Sequence, residues 1–261
     1  MSIAGGAPAE RPTARRRAGG TRRSRAVRGV LSAAARRGAV VEKEILGLAE
    51  LVGPGDVCLD VGAEFGLYTH VLADLVGPHG AVHAFEPQHG AHRALRLGVR
   101  AAGLSWVHLH RLALGAAPTT AELSVPRRRG LPVHGRAYVT AGAQDAGPNR
   151  EFAGHRLESV AVETLDAVVA DLAPDGVSLV KADVEGAEGA LLDGAATTLT
   201  AHRPHLLLEI EDRHTQKYGV RAADLFDRLT GELGYRAHLW SAGWRPIAGI
   251  VDTERNYLFS P

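Results

Sequence analysis

Sulfur is scarce in this chain: one cysteine, Cys58, and one methionine among 261 residues. A single cysteine excludes an intramolecular disulfide, so the chain is no disulfide-stapled scaffold, and a reducing cytoplasm is the compartment it favours. No Cys/His spacing of a zinc site exists. Cys58 lies inside an apolar run and reads as a small core residue, not a nucleophile. No apolar run approaches the roughly 20 residues that cross a bilayer, so no membrane partner is expected. Lysine is nearly missing too, three against 27 arginines, which makes arginine the default base of the chain.

What is present is unevenly spread. Residues 1–40 hold ten arginines and one acid, Glu10, which leaves 20 basic and 28 acidic residues in the rest, a formal net of −8. The arm RPTARRRAGGTRRSRAVRG is poor in large apolar residues and is expected to be disordered over 1–38. It lacks the apolar core of a secretory signal. A nucleic-acid grip is its sharper reading. A solvated tail is the plainer one, and the general arginine bias favours it. Residues 39–261 have the length and composition of one α/β domain.

Periodicity then orders that domain. Helical spacing covers Val40 to Leu51, Leu67 to Val76, Gln88 to Ala102, Leu165 to Leu172, Ala187 to Thr200 and Ala222 to Leu233. Strands are expected at Val57–Val61, Ala81–Phe85, Trp106–Leu114, Val177–Ala182, Leu206–Ile210, Tyr235–Trp240 and Asn256–Phe259. Ala121 to Val125 suits a short extra strand, and Val160 to Val162 looks extended. From about 126 to 157 the pattern dissolves into Gly, Pro, Arg and polar residues, the mark of an irregular insertion or lid. Alternating strands and helices predict a doubly wound, mostly parallel seven-stranded sheet, and the short link between the last two strands an antiparallel C-terminal edge.

The densest signal runs from Asp56 to Pro87. The buried strand DVCLDV ends in Asp60 and the turn Gly62-Ala63-Glu64-Phe65-Gly66, and the next strand ends in Glu86. Glycines there let backbone approach a ligand closely, and a carboxylate at the second strand tip accepts hydrogen bonds from both ribose hydroxyls. A dinucleotide fingerprint needs a middle glycine, and Glu64 stands in its place. An acid in that turn suits a nucleoside ligand without phosphates, best a cationic one, and S-adenosylmethionine fits. The middle glycine's absence argues against an NAD-dependent dehydrogenase.

In an open α/β sheet, ligands sit beyond the carboxyl ends of the strands. Asp60, Glu86, Asp183, Glu209 and Glu211 all fall at that rim. Lys181 lies within a strand, on the face opposite Val180 and Ala182, where it needs an acidic partner. Arg127, Arg128 and Arg129, in the irregular stretch, suit either a solvated loop or a lid contact to an anionic acceptor.

The blocks DVGAEFGLYT, AVHAFEP, LALG, LVKADVEGAEGALLDGA, HRPHLLLEIE and NYLF occur in one order over Gly53 to Pro261, weakly across 126–157. Together they resemble the FkbM family of S-adenosylmethionine-dependent methyltransferases. Glu64 departs from the asparagine common there. The resemblance implies a Rossmann-like class I methyltransferase, an O-methyltransferase acting on hydroxyls of sugars or natural products. On this reading Gly62 and Gly66, with Glu64 between them, form the turn under the methionine end, and Asp60 orients it. Glu86 takes the ribose, Pro87, Leu112 and Ala113 flank the adenine, and Tyr68 and Thr69 line the pocket. Asp183 faces the methionine ammonium or the acceptor. A hydroxyl acceptor calls for a general base, and Asp183, Glu209 and His214 are the candidates. No metal is expected, since Asp183, Glu209, Glu211 and His214 show no diagnostic metal spacing. The alternatives are a nucleic-acid methyltransferase gripping through the arm and a non-catalytic nucleoside-binding protein. The acceptor and any homo-oligomer stay open.

Overall fold

A computed structural model describes residues 19–38, 41–129, 131–145, 147–152 and 154–261. Among the described residues thirteen strands occur in chain order: β1 Val57–Val61, β2 Ala81–Phe85, β3 Val107–His110, β4 Ala113–Leu114, β5 Thr119–Arg128, β6 Leu131–Pro132, β7 Tyr138–Val139, β8 Gly154–Glu163, β9 Leu179–Ala182, β10 His205–Glu209, β11 Arg236–Trp240, β12 Trp244–Pro246 and β13 Asn256–Ser260. The α-helices are α1 Arg22–Arg36, α2 Leu48–Leu51, α3 Leu67–Val76, α4 His89–Ala102, α5 Leu165–Leu172, α6 Glu188–Asp193, α7 Ala196–His202, α8 Asp212–Thr215 and α9 Ala222–Asp227.

The main sheet runs β12-β11-β13-β10-β9-β1-β2-β3. It corrects the expected seven-stranded, mostly parallel sheet. There are eight strands, and the sheet is mixed: β10, β9, β1, β2 and β3 pair in parallel, whereas β13, β11 and β12 join by antiparallel pairings. The extra strand is β12, which the Gly/Pro-rich link after Trp240 concealed. The alternation of β1 divides the core. Cys58 packs with Leu72, Leu95 and Val99 on one face, and Leu59 and Val61 with Leu165, Leu191 and Leu208 on the other.

The single strand expected over Trp106–Leu114 breaks in two. After His110 the chain leaves the main sheet, and β4 pairs with β8 in a second, five-stranded sheet. The stretch 126–157, expected to be irregular, is largely the far end of this sheet. β5 and β8 form a continuous antiparallel ribbon from Thr119↔Val162 to Arg127↔Gly154. Leu123, Val125, Ala137 and Val160 give it its own small core. Its alternation escaped notice because Pro126, Arg127 and Arg128 occupy the outer end of β5.

The helix expected over Ala187–Thr200 is also two. Gly194 packs against the Gly115 carbonyl, where a Cβ would lie 2.1 Å away, and the Asp166 carboxylate accepts from the Thr197 and Thr198 N–H groups. That borrowed cap restarts the helix as α7.

The arm corrects a further expectation. Residues 1–18 lie outside the described residues, but 22–36 are helical, capped by the Thr21 hydroxyl. Ser24, Val27, Arg28, Leu31 and Ala35, spaced for one helical stripe, are buried or half-buried, and the helix packs on α3. The docking point is Asp74, fully buried within α3. It accepts from the Ser24 hydroxyl at 2.7 Å and pairs with the Arg28 guanidinium. A short, small-residue stripe among arginines reads as a tail until its buried acid is seen.

Arg28→Ala leaves the Asp74 carboxylate buried with one hydroxyl partner, which costs about 1–3 kcal/mol. Urea unfolding checks this, and a loss indistinguishable from zero means that α1 docks without the pair.

Candidate functional site

The turn after β1 is shaped by what crosses it. Gly62 has φ +75°, and a Cβ on it would lie 1.8 Å from the Asp183 carbonyl oxygen. Any side chain there pushes β1 and β9 apart just beyond their last paired residues, Val61 and Ala182. The Gly62 and Ala63 N–H groups both donate to the Phe85 carbonyl at 3.0 Å, which fixes the turn against the end of β2. Glu64 adopts a left-handed backbone, φ +47°, a conformation costly for any residue but glycine, asparagine or aspartate. Its N–H donates to Glu86 Oε2 at 2.9 Å, and the Gln88 N–H donates to Glu86 Oε1 at 2.8 Å. The buried Glu86 carboxylate is thus clamped by two backbone amides, with further acceptor positions left on both oxygens.

Beyond these strand ends lies a cleft of about 640 Å³, open to solvent. Gly62, Glu64, Glu86 and Pro87 form one wall, Leu112 and Ala113 a second, and Asp183 and Glu185 a third. The fourth wall comes from the second sheet, through His134, Gly135, Ala137, Tyr138 and Val139. This segment is fastened by a reciprocal pair: Gln88 Nε2 donates to the His134 carbonyl at 3.0 Å, and Gln88 Oε1 lies 2.8 Å from His134 Nδ1. The Phe65 ring meets the His134 ring edge-on at 5.4 Å.

The lining contains four acids, Glu64, Glu86, Asp183 and Glu185, and neither lysine nor arginine. Crowded carboxylates raise one another's pKa unless a cation intervenes. Burial pushes Glu86 up to about 7 despite its two amide donors. Burial raises Glu64 as well, with Asp183 adding to it. Asp183 goes the other way. Burial opposes its charge, but Lys181 beside it and a hydrogen bond from Glu209 outweigh that and hold it below the usual carboxylate range. Glu209 is pushed far up, by burial first and then by Asp183. The two carboxyls therefore titrate as a pair, and their mutual repulsion opposes both being ionised at once.

Lys181 supplies the cation. It is 4% exposed, sits 3.8 Å from Asp183 and lies over the Tyr68 ring at 4.9 Å. Its register partner on β1 is Asp60. Burial would discharge it, yet Asp183 and Asp60 keep its pKa above the ordinary value.

The sequence candidates therefore divide. Gly62, Glu64, Glu86, Pro87, Leu112, Ala113 and Asp183 line the cleft. Asp60, Gly66, Tyr68 and Thr69 do not. Asp60 is fully buried and accepts from the Thr69 hydroxyl. Tyr68 is buried, with its hydroxyl on Glu42 at 2.6 Å. Gly66, φ +89°, packs against Leu95 and His70. These four hold the turn from behind. Of the three base candidates, Asp183 alone faces the cleft. Glu209 backs it, and His214 is buried with Nδ1 2.6 Å from Glu185 Oε2. Glu211 pairs with Arg213 at 2.6 Å, outside the cleft. Arg127, Arg128 and Arg129 are exposed and are not among the residues that line the cleft. Among the described residues no group of three or more His, Cys, Asp or Glu is arranged to hold a metal ion.

Sequence reasoning missed Gln88, His134, Tyr138 and Glu185. Gln88 directly follows FEP, and its position at a helix start was the available clue. His134 and Tyr138 had none beyond the length of their segment. The acid-lined, cation-free cleft fits S-adenosylmethionine. It offers a buried carboxylate with free acceptor positions for ribose hydroxyls and negative charge for a sulfonium and an ammonium. It offers nothing for a pyrophosphate.

Gly62→Ala is expected to cost at least about 2 kcal/mol more than Gly55→Ala, which shares the left-handed backbone but meets open space. Thermal unfolding of the two variants checks this, and equal losses contradict the close crossing.

Residues 60–237 match the model of the methyltransferase FkbM domain. No curated protein matches the sequence. Among solved structures, a methyltransferase FkbM from Methylobacillus flagellatus is 18% identical with a TM-score of 0.47, and the match covers 78% of this chain but only 43% of that one. An S-adenosylmethionine-dependent O-methyltransferase from Thermotoga maritima is 16% identical, TM-score 0.44, over 85% of this chain and 65% of that one. A putative methyltransferase from Streptococcus mutans, in complex with SAH, is 11% identical, TM-score 0.48, over 84% and 96%. With its family model spanning more than half of it, from the first strand of the turn to the antiparallel edge, the chain belongs to the FkbM methyltransferase family.

Proposed function

We propose that this chain is an S-adenosylmethionine-dependent O-methyltransferase that acts on a hydroxyl of a small molecule, a sugar or natural-product acceptor. The observation that carries the reading is the cleft wall: four acids, no lysine or arginine, and a buried carboxylate at the end of β2 clamped by two backbone amides. Bound there, S-adenosylmethionine supplies a methyl group on a positively charged sulfur. The chain's own residues do the rest. Glu86 accepts from the ribose hydroxyls. Pro87, Leu112 and Ala113 flank the adenine. Gly62, Glu64 and Gly66 shape the turn under the methionine end, with Asp60, Tyr68 and Thr69 supporting it from behind. Asp183, ionised and facing the cleft, accepts the proton of the acceptor hydroxyl as its oxygen is methylated. Glu209 backs it, and His214 orients Glu185. The segment of His134 to Val139 excludes water.

We read residues 39–261 as the catalytic domain, with 126–157 as its lid. The main sheet is on this reading the Rossmann-like sheet of a class I methyltransferase, five parallel strands ending in an antiparallel edge. A free, buried Cys58 is compatible with work in the cytoplasm. No described helix is long and apolar enough to cross a membrane, and a soluble acceptor is part of the proposal.

The sign of the pH dependence follows from Glu86. Burial pushes its carboxyl up to about 7, and hydrogen bonds from ribose hydroxyls favour the ionised form. Affinity for S-adenosylmethionine is therefore full above about pH 8. It falls as pH drops below 7, approaching tenfold per pH unit. Calorimetry at pH 6, 7 and 8 measures this. Glu86→Gln is expected to bind weakly and without that slope, and a wild type that binds no S-adenosylmethionine at any of these pH values defeats the proposal.

A further inference from the structure

Behind the cleft, six side chains close into a ring. Asp183 neighbours Lys181 at 3.8 Å, and Lys181 lies over the Tyr68 ring. The Tyr68 hydroxyl donates to Glu42 at 2.6 Å, and Arg255 Nη2 lies 3.6 Å from the other Glu42 oxygen. Arg255 Nε lies 3.4 Å from Glu209, and Glu209 shares a hydrogen bond with Asp183. Its members come from five separate stretches of chain. Arg255 is held in place by backbone. Glu209 pairs with Asn256 across the β10–β13 ladder, and the Ile210 N–H donates to the Arg255 carbonyl at 2.8 Å. A guanidinium has a planar fork of donors, so it can span two carboxylates where an ammonium reaches one.

We propose that Arg255 is a positioning residue for the acceptor-side base: by bridging Glu42 and Glu209 it fixes the Glu209 carboxyl behind Asp183 and sets a positive charge against the pair, so that Asp183 presents a carboxylate to the cleft. The inference rests on Asp183 being the base of the proposed reaction, and no sequence signal marked Arg255 or Glu42. Two hydrogen-bonded carboxyls need one proton between them, and either can hold it. Several charged groups bear on that choice. Lys181, Arg255 and His214 favour the ionised form of Asp183. Asp183 and Glu185 press against the ionised form of Glu209, and Arg255 partly relieves it. Glu42, Asp60 and Glu209 act on Lys181 beside Asp183. Of the cations, Lys181 is buried against Asp183 and Asp60, and Arg255 alone contacts Glu209 itself. Without Arg255, Glu209 keeps no fixed orientation and the lone pair of Asp183 loses its direction.

The test reads carboxyl protonation directly and needs no acceptor. Carbon-13 NMR of side-chain-labelled Asp and Glu follows Asp183 and Glu209 in the full chain across pH 3 to 9, with Glu209→Gln and Asp183→Asn giving the assignments. In Arg255→Met the lower of the two midpoints of the pair is expected to rise by about one pH unit, while Glu86, on the far wall, keeps its midpoint. Arg255→Lys, which restores charge without the fork, is expected to recover less than half of the change. Glu42→Gln, which frees one end of the bridge, is expected to move the pair in the same direction by less. Unmoved midpoints for the pair in Arg255→Met overturn the proposal, as does an equal displacement of Glu86, which marks general loosening. Calorimetry with S-adenosylmethionine on the same samples is scored separately: failure of the wild type to bind defeats the methyltransferase reading and leaves the titration result standing.

Discussion

The site depends on one buried cation. Lys181 sits in β9, an inner strand of the parallel part of the main sheet, where neither strand propensity nor burial favours a lysine. Its acidic partners are the buried Asp60, opposite it on β1, and Asp183 at the cleft, with Glu209 behind Asp183. Three carboxyls that close repel one another, and in a dry site they would protonate. A cation among them reverses this for Asp183. The same Lys181 lies within 3.5 Å of the Gly62 carbonyl, so the charge that sets protonation also bears on the turn. Tyr68 and Thr69, in the first turn of α3, connect this centre to the helix. Replacing them disturbs the cleft from behind, not from within.

A second constraint is topological. The chain leaves the main sheet after His110 and enters the second sheet at Ala113. The two residues between, Arg111 and Leu112, lie over the strand ends, and this puts Leu112 and Ala113 on the cleft wall. The ribbon of β5 and β8 then returns the chain to the main sheet at α5. Its far segment folds back so that His134 locks onto Gln88. One excursion therefore supplies both an inner wall and a cover, and Gln88 couples the cover to Glu86, whose other oxygen is clamped by the turn at Glu64. Turn, strand tip and cover are thus joined by one chain of hydrogen bonds.

How much of this the chain announces varies with range. The β1 turn, the Glu86 strand tip and the positions of β1, β2, β9 and β10 were legible because each is set by local pattern: an apolar run, a glycine, an acid at a fixed step. Lys181 was legible as a misfit in its strand. The ribbon was not, since its outer half carries Pro126 and arginines where alternation should be apolar. Nor was the docked helix at 22–36, whose buried stripe is made of Ser24, Arg28 and small residues and is intelligible only with Asp74 beside it. Glu42 and Arg255 join the site across more than 200 positions of sequence, and no local pattern marks such a meeting. Position at the rim brought Tyr68, Thr69 and His214 onto the list of cleft residues, but side-chain direction put them behind it.

The most direct measurement is calorimetric titration of S-adenosylmethionine into Lys181→Met beside the wild type at pH 7.5, with thermal unfolding confirming that the variant folds. If Lys181 keeps Asp183 ionised and supports the turn, the variant binds at least about tenfold more weakly. Removing a positive charge near a cationic ligand would by itself tighten binding, so unchanged or tighter binding contradicts the account.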